Sequence, residues 1–197
     1  SSKPTEIRKL PPGGIKKILT LEDKVFDADK KGDVNMAIWM EKEGQHMEVC
    51  VKRRLKDYFR GGEEYWRRIA TRMLNLDPHE NMAELLAIYE DENGFDDKAA
   101  FYVIMERMNG KQGELLNFLI TEQQVPERKC KRLMREILHA ADHLHSRNII
   151  HRDTLVNHQL FVKGKSQYPW NFVRSIFLLD VFQSIFEIHR LKEAIKV

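Results

Sequence analysis

Apolar residues recur at helical spacing between Pro126 and Ser146, at Leu133, Ile137, Ala141 and Leu144, and the chain then runs through Asn148-Ile149-Ile150 straight into His151-Arg152-Asp153. No other stretch constrains the fold as much. A helix this long and amphipathic must lay its apolar stripe on a core, and Pro126 suits its first turn. Its role is to support the loop that follows, where three charged side chains stand directly behind two β-branched apolar ones.

Upstream the hydrophobic period changes. Leu21–Phe26, Val34–Met40 and Gln45–Lys52 read as three strands, with turn signals at Asp27–Gly32 and Glu43-Gly44, and an antiparallel meander is their natural product. Tyr65, Ile69, Met73 and Leu76 place one helix within Gly62–Leu76, closed by Asp77-Pro78-His79-Glu80-Asn81-Met82. Ala83–Tyr89 and Ala100–Glu106 predict a hairpin around the polar Glu90–Lys98 segment. Residues 1–20 are polar and basic, broken by Pro11-Pro12-Gly13-Gly14, and read as an extension without chemistry.

With 42% hydrophobic and 32% charged residues the chain has the composition of a soluble globular protein, and 33 basic against 30 acidic residues are too balanced for a nucleic-acid footprint. Clusters such as Lys52-Arg53-Arg54 and Lys129-Cys130-Lys131-Arg132 therefore read as solvated faces. Cys50 and Cys130 lie far apart in apolar or helical patterns, which favours a reducing compartment. No signal-peptide pattern and no membrane-spanning run stands out, so the expected location is intracellular and cytoplasmic.

These pieces, taken in order, resemble the eukaryotic protein kinase family, of Ser/Thr type and nearest to the calcium/calmodulin-dependent kinases. His151-Arg152-Asp153 is similar to the H-R-D of the catalytic loop, and Val49-Cys50-Val51-Lys52 to the V-A-x-K strand, with Cys50 in place of Ala. Gly32-Asp33-Val34 fits the end of the glycine-rich G-x-G-x-x-G-x-V loop. Phe101 to Gly110 resembles the fifth strand and hinge, with Met105 as gatekeeper and the backbone of Glu106 to Met108 placed to meet adenine. Gly113 to Leu119 matches the short helix after a hinge. Leu160-Phe161-Val162 and Ser175–Leu179 look like the paired strands before D-F-G, where Asp180-Val181-Phe182 stands. The resemblance implies an α+β, two-lobed fold: an N-terminal extension over 1–20, a five-stranded N-lobe with one helix over 21–106, and a partial helical C-lobe over 107–197. It implies ATP and magnesium as cofactors if the site is active. Lys52 would hold the nucleotide's phosphates, Asp153 would orient the substrate hydroxyl, and Asp180 would carry the metal with Asn157 beside it.

Several positions depart from the family pattern. Asp27 and Asp29 replace the first two loop glycines, adding side chains and negative charge where a polyphosphate would lie. Arg68 stands where the helix carboxylate that pairs with Lys52 belongs. If the two faced each other, an attraction of roughly 4 kcal/mol for unit charges about 4 Å apart at an effective dielectric of about 20 would become a repulsion of similar size. Leu155 replaces the catalytic-loop lysine and His158 occupies the metal-binding Asn position, leaving Asn157 one residue early.

The resemblance with these losses implies a pseudokinase that acts through protein interaction, a functioning Ser/Thr kinase being the alternative. Residues 26–32 also resemble the start of an EF-hand calcium loop, although Lys31 and Ile38 fall on its fifth and twelfth positions, so a calcium-binding or unrelated α+β module is a third reading. The expected partner is another protein, or a C-terminal remainder of the same chain, on apolar surface left by the Pro126–Ser146 helix and the Phe182-Ile185-Phe186-Ile188 run. Nucleic acid is not expected as a partner.

Overall fold

A computed structural model describes residues 6–21, 34–41, 45–59, 62–93, 98–107, 125–149, 159–162 and 172–175. The chain divides into two compact units, one formed by residues 1–77 and 84–107, the other by 78–83 and 108–197.

The first unit is built on a six-stranded sheet with the order β1-β5-β6-β4-β3-β2. Its strands are β1 (Arg8–Lys9), β2 (Leu19–Leu21), β3 (Val34–Glu41), β4 (Gln45–Leu55), β5 (Leu85–Asp91) and β6 (Ala100–Glu106). β1 runs parallel to β5 and every other pairing in this sheet is antiparallel. The second and third strands of the expected meander and the hairpin lie where the alternating patterns place them. The sheet has six strands rather than five, because residues 8–21 supply both of its outer strands, β1 and β2. Gly13 and Gly14 turn the chain at φ 97° and 69°, a left-handed region that side-chain-bearing residues rarely enter. After that turn Ile15 and Leu19 enter the core, so the expected extension is part of the domain. β2 ends at Leu21, where the first strand is expected to begin, and residues 22–33 lie outside the described residues.

Successive strand residues point to opposite faces, and the two faces here do different work. One carries Ala37, Trp39, Val49, Val51, Leu55, Tyr89, Ala100, Tyr102 and Ile104, and Ile15 and Leu19 complete this core. The other carries Phe101 of β6 and takes α1 (Glu63–Leu74), whose buried residues are Trp66, Ile69, Ala70, Met73 and Leu74. Trp66 lies 4.4 Å from Phe101 between ring centroids, and Phe59 stacks on Trp66 at 5.0 Å. Burying three such rings supplies several kcal/mol for docking the helix, at about 25 cal/mol per Å² of apolar surface.

In the second unit α2 (Glu127–His145) follows Pro126, and it buries Leu133, Ala140 and Leu144. The helix ends at His145, and the turn after it closes at Asn148, whose φ of 55° Asn tolerates better than most residues. The Ile149 N–H then donates to the Leu144 carbonyl at 3.0 Å and the Ile149 side chain is buried. The helix-to-loop transition read from the sequence is thus present in detail up to Ile149. A hairpin of β7 (Gln159–Val162) and β8 (Phe172–Ser175) completes the described part. Its second strand begins three residues earlier than Ser175, the expected start. The expected helix over 113–119, His151, Arg152, Asp153, Asn157, His158, Asp180 and the last helical pattern lie outside the described residues.

Candidate functional site on the helix-bearing face of the sheet

The residues singled out on the strands share one face. Across β3 and β4, Val34 stands opposite Lys52 and Met36 opposite Cys50. Across β4 and β6, Lys52 stands opposite Val103 and Cys50 opposite Met105. The period-two rule therefore gathers Val34, Cys50, Lys52 and Met105 into one patch. Val34 is half exposed at its margin, while Cys50 and Met105 are buried. The Cys50 thiol donates to the Met36 sulfur at 3.3 Å, which fixes two small, polarisable groups side by side. Glu106 closes the end of β6: its backbone N–H donates to the Glu84 carbonyl at 2.9 Å, and its carboxylate accepts the Glu84 N–H at 3.3 Å. Met108, the last expected adenine contact, lies outside the described residues.

Lys52 is the chemically notable member, since only 2% of it is exposed. A buried ammonium is stable only where anionic or dipolar groups replace the water it has lost. The helix carboxylate of the sequence reading is not one of them. Arg68, which stands at that position in the sequence, is exposed, with its guanidinium 5.3 Å from the centre of the Tyr65 ring, so the repulsion that would follow if it faced Lys52 does not arise. The only carboxylates of α1 are Glu63 and Glu64 in its first turn. Glu64 is exposed, and Glu63 pairs with Arg67 at 2.6 Å and with Lys56 at 3.4 Å. The face that α1 buries is wholly apolar, and its Ala70 is fully enclosed.

A second polar cluster, not apparent in the sequence, takes over the docking of α1. Glu90 of β5 is only 7% exposed and accepts from both Arg67 and Lys56. Both cations also lie over Phe101, the Lys56 ammonium 5.0 Å and the Arg67 guanidinium 4.7 Å from its centroid. Burial alone would push the Glu90 carboxyl up, but hydrogen bonds from Arg67 and Lys56, with their charges, hold it below its ordinary value. Further along β4, Arg54 reaches over Phe59, and burial pushes its guanidinium down to about 10.

The model of the protein kinase domain matches residues 31–165, well over half of the chain. The chain belongs to the protein kinase family. Among its relatives are a calcium/calmodulin-dependent serine/threonine-protein kinase of Malus domestica, 30% identical over 95 residues, and the hormonally up-regulated neu tumor-associated kinase of Homo sapiens, 30% identical over 82. These alignments cover 48% and 42% of this chain but only 21% and 10% of the relatives. The fold is similar to that of Rad53 residues 1–466, solved in complex with AMP-PNP, with a TM-score of 0.64 and 25% identity over 84% of this chain and 39% of that one. Membership in the kinase family overturns the calcium-binding and unrelated α+β readings. The structure agrees at one position: Ile38, the twelfth residue of an EF-hand loop, sits in mid-strand of β3 opposite Glu48. Among the described residues no helix is long and apolar enough to cross a membrane.

Proposed function

We propose that this kinase-family domain is catalytically impaired and works by protein interaction, as a pseudokinase. The observation that carries this reading is the buried face of α1, which offers Lys52 no carboxylate. In active kinases the ion pair between the strand lysine and the helix glutamate must be in place for the lysine to hold the α- and β-phosphates. The strand half is consistent with a nucleotide site: Val34, Cys50 and Met105 form an apolar patch beside Lys52, with the Glu106 backbone at its end. The helix half does not fit. Asp27 and Asp29 in the glycine loop, with Leu155 and His158 in the catalytic loop, weaken the case for phosphoryl transfer further, because that reaction depends on positioning and charge neutralisation together.

As a functioning Ser/Thr kinase, the chain would use Lys52 for the phosphates of ATP, Asp153 for the substrate hydroxyl, and Asp180 with Asn157 for magnesium. The strand patch and the likeness to a structure solved with AMP-PNP favour this second reading. Isothermal calorimetry separates the two. The pseudokinase reading expects no micromolar binding of magnesium-ATP and no phosphate transfer to a generic basic peptide. Micromolar binding, with transfer abolished by Asp153→Asn, would establish the enzyme instead. For interaction, Met134 and Leu138 offer apolar side chains exposed one turn apart on α2.

A further inference from the structure

We propose that His79 and His143 form a proton-operated clasp that holds the segment Pro78–Ala83 against helix α2 at neutral pH and releases it when His79 takes up a proton. Both residues belong to the second unit. Their rings lie 4.6 Å apart between centroids, tilted by 39°. The segment is anchored around this contact, with Asn81, Met82 and Ala83 buried and the Met82 N–H donating to the His79 carbonyl at 3.0 Å.

The hydrogen bonds define which protonation state the clasp accepts. His79 Nδ1 accepts the backbone N–H of Asn81 at 3.2 Å. An imidazole nitrogen can accept only while it carries no proton, so this bond exists only with neutral His79. A proton arriving at Nδ1 from solvent would turn the acceptor into a donor facing another donor. On the opposing ring, His143 Nε2 is enclosed and has no hydrogen-bond partner among the described residues.

The surrounding charges act in the same direction. His139, His143 and Arg147 follow one another at i, i+4 spacing, on one side of α2 and its C-terminal turn, and all three oppose a positive His79. On its own segment Glu80 is the one group favouring it, and Glu80 is exposed. Burial first, then His143, hold His79 below its ordinary value of 6.5. A group depressed in the folded state contributes fully above its unfolded value. Its contribution is lost as pH falls below about 6.5, because the released segment then binds the proton more readily.

Hydrogen exchange on the 197-residue chain, corrected for intrinsic rates, tests this on the Met82 amide. Protection is expected to fall between about pH 7.5 and about pH 5.5, by at most about tenfold, the limit that an unfolded value of 6.5 sets. In His79→Phe, which keeps a ring against His143 but cannot be protonated, the same amide should show no such fall. An equal fall in the variant, or constant protection in the wild type, overturns the clasp. Should the variant fail to fold, ring-proton NMR of the wild type decides: His79 must titrate below 6.5, and titration at or above that value sinks the proposal.

Discussion

The guanidinium of Arg67 closes on the carboxylate of Glu90, tying the first helix to a strand through a charge that the strand otherwise buries. Replacing that carboxylate by an amide keeps the shape but leaves two cations over Phe101 with a neutral acceptor. Glu90→Gln should cost about 2 kcal/mol, less than a fully buried pair would because Arg67 is one-third exposed. Urea unfolding measures it, and a loss below about 0.5 kcal/mol, the range of ordinary surface substitutions, would show that the cluster contributes little.

The same carboxylate gives acid sensitivity a defined sign. Its folded value lies below its ordinary 4.5, so its contribution is present above that pH and fades as the pH falls through the folded value. The stability difference between wild type and Glu90→Gln should therefore shrink on acidification below about pH 4.5. A difference that stays constant down to about pH 3 would assign the effect to packing rather than to charge.

Phe101 separates two contributions that usually come together. Phe101→Ala should cost about 4 kcal/mol, since the ring is fully buried against Trp66 and Phe59. Phe101→Leu keeps most of the apolar volume and removes the ring beneath Lys56 and Arg67, so about 1 kcal/mol of extra loss should be recovered by also replacing Arg67 in a double-mutant cycle. A coupling of zero would mean that the cations merely lie near the ring.

Arg68→Glu distinguishes the sequence reading from the structure. Read in sequence, this change restores the helix carboxylate and should create nucleotide affinity. In the structure Arg68 is exposed over Tyr65, so magnesium-ATP binding should not change and stability should move by less than about 0.5 kcal/mol. Calorimetric binding that appears with the substitution would mean that the helix turns this face to Lys52.

Leu19→Ala asks whether the N-terminal segment is structural. Leu19 is buried opposite Trp39, and its truncation should cost about 2–4 kcal/mol. An extension that merely precedes the domain would tolerate it, with an unchanged urea midpoint.

How far the chain could be read in advance depended on period. β3, β4 and β6 hold an alternating or apolar pattern over seven or more residues, and α2 repeats its apolar positions from Leu133 to Leu144, so their patterns outweigh local accidents. β1 and β2 have two and three residues, too short to show any period, and Lys16 and Lys17 disguise the burial of Ile15 between Gly14 and Ile18. The strand half of the candidate site was legible because register follows from alternation. Its helix half was not: motif spacing put Arg68 at a functional position, while the rotation of α1 is set by Trp66, Ile69 and Met73 finding the sheet. Glu90 reads in the sequence as the first residue of a polar connection, and only the packed structure places it in β5 and brings Arg67 and Lys56, 23 and 34 residues away, onto it.

Residues 8–21 supply both outermost strands of the first sheet, β1 beside β5 and β2 beside β3. An open sheet edge is a template on which other chains can pair, and very short edge strands are one way of blunting it. During synthesis residues 8–21 emerge before the strands they pair with, and Arg8 finds Tyr89 only after about eighty further residues have been made. Without that segment β5 and β3 present bare backbone to every neighbour. A form of this domain without residues 8–21 should therefore aggregate through those edges, and this segment acts as the guard that keeps the finished sheet solitary.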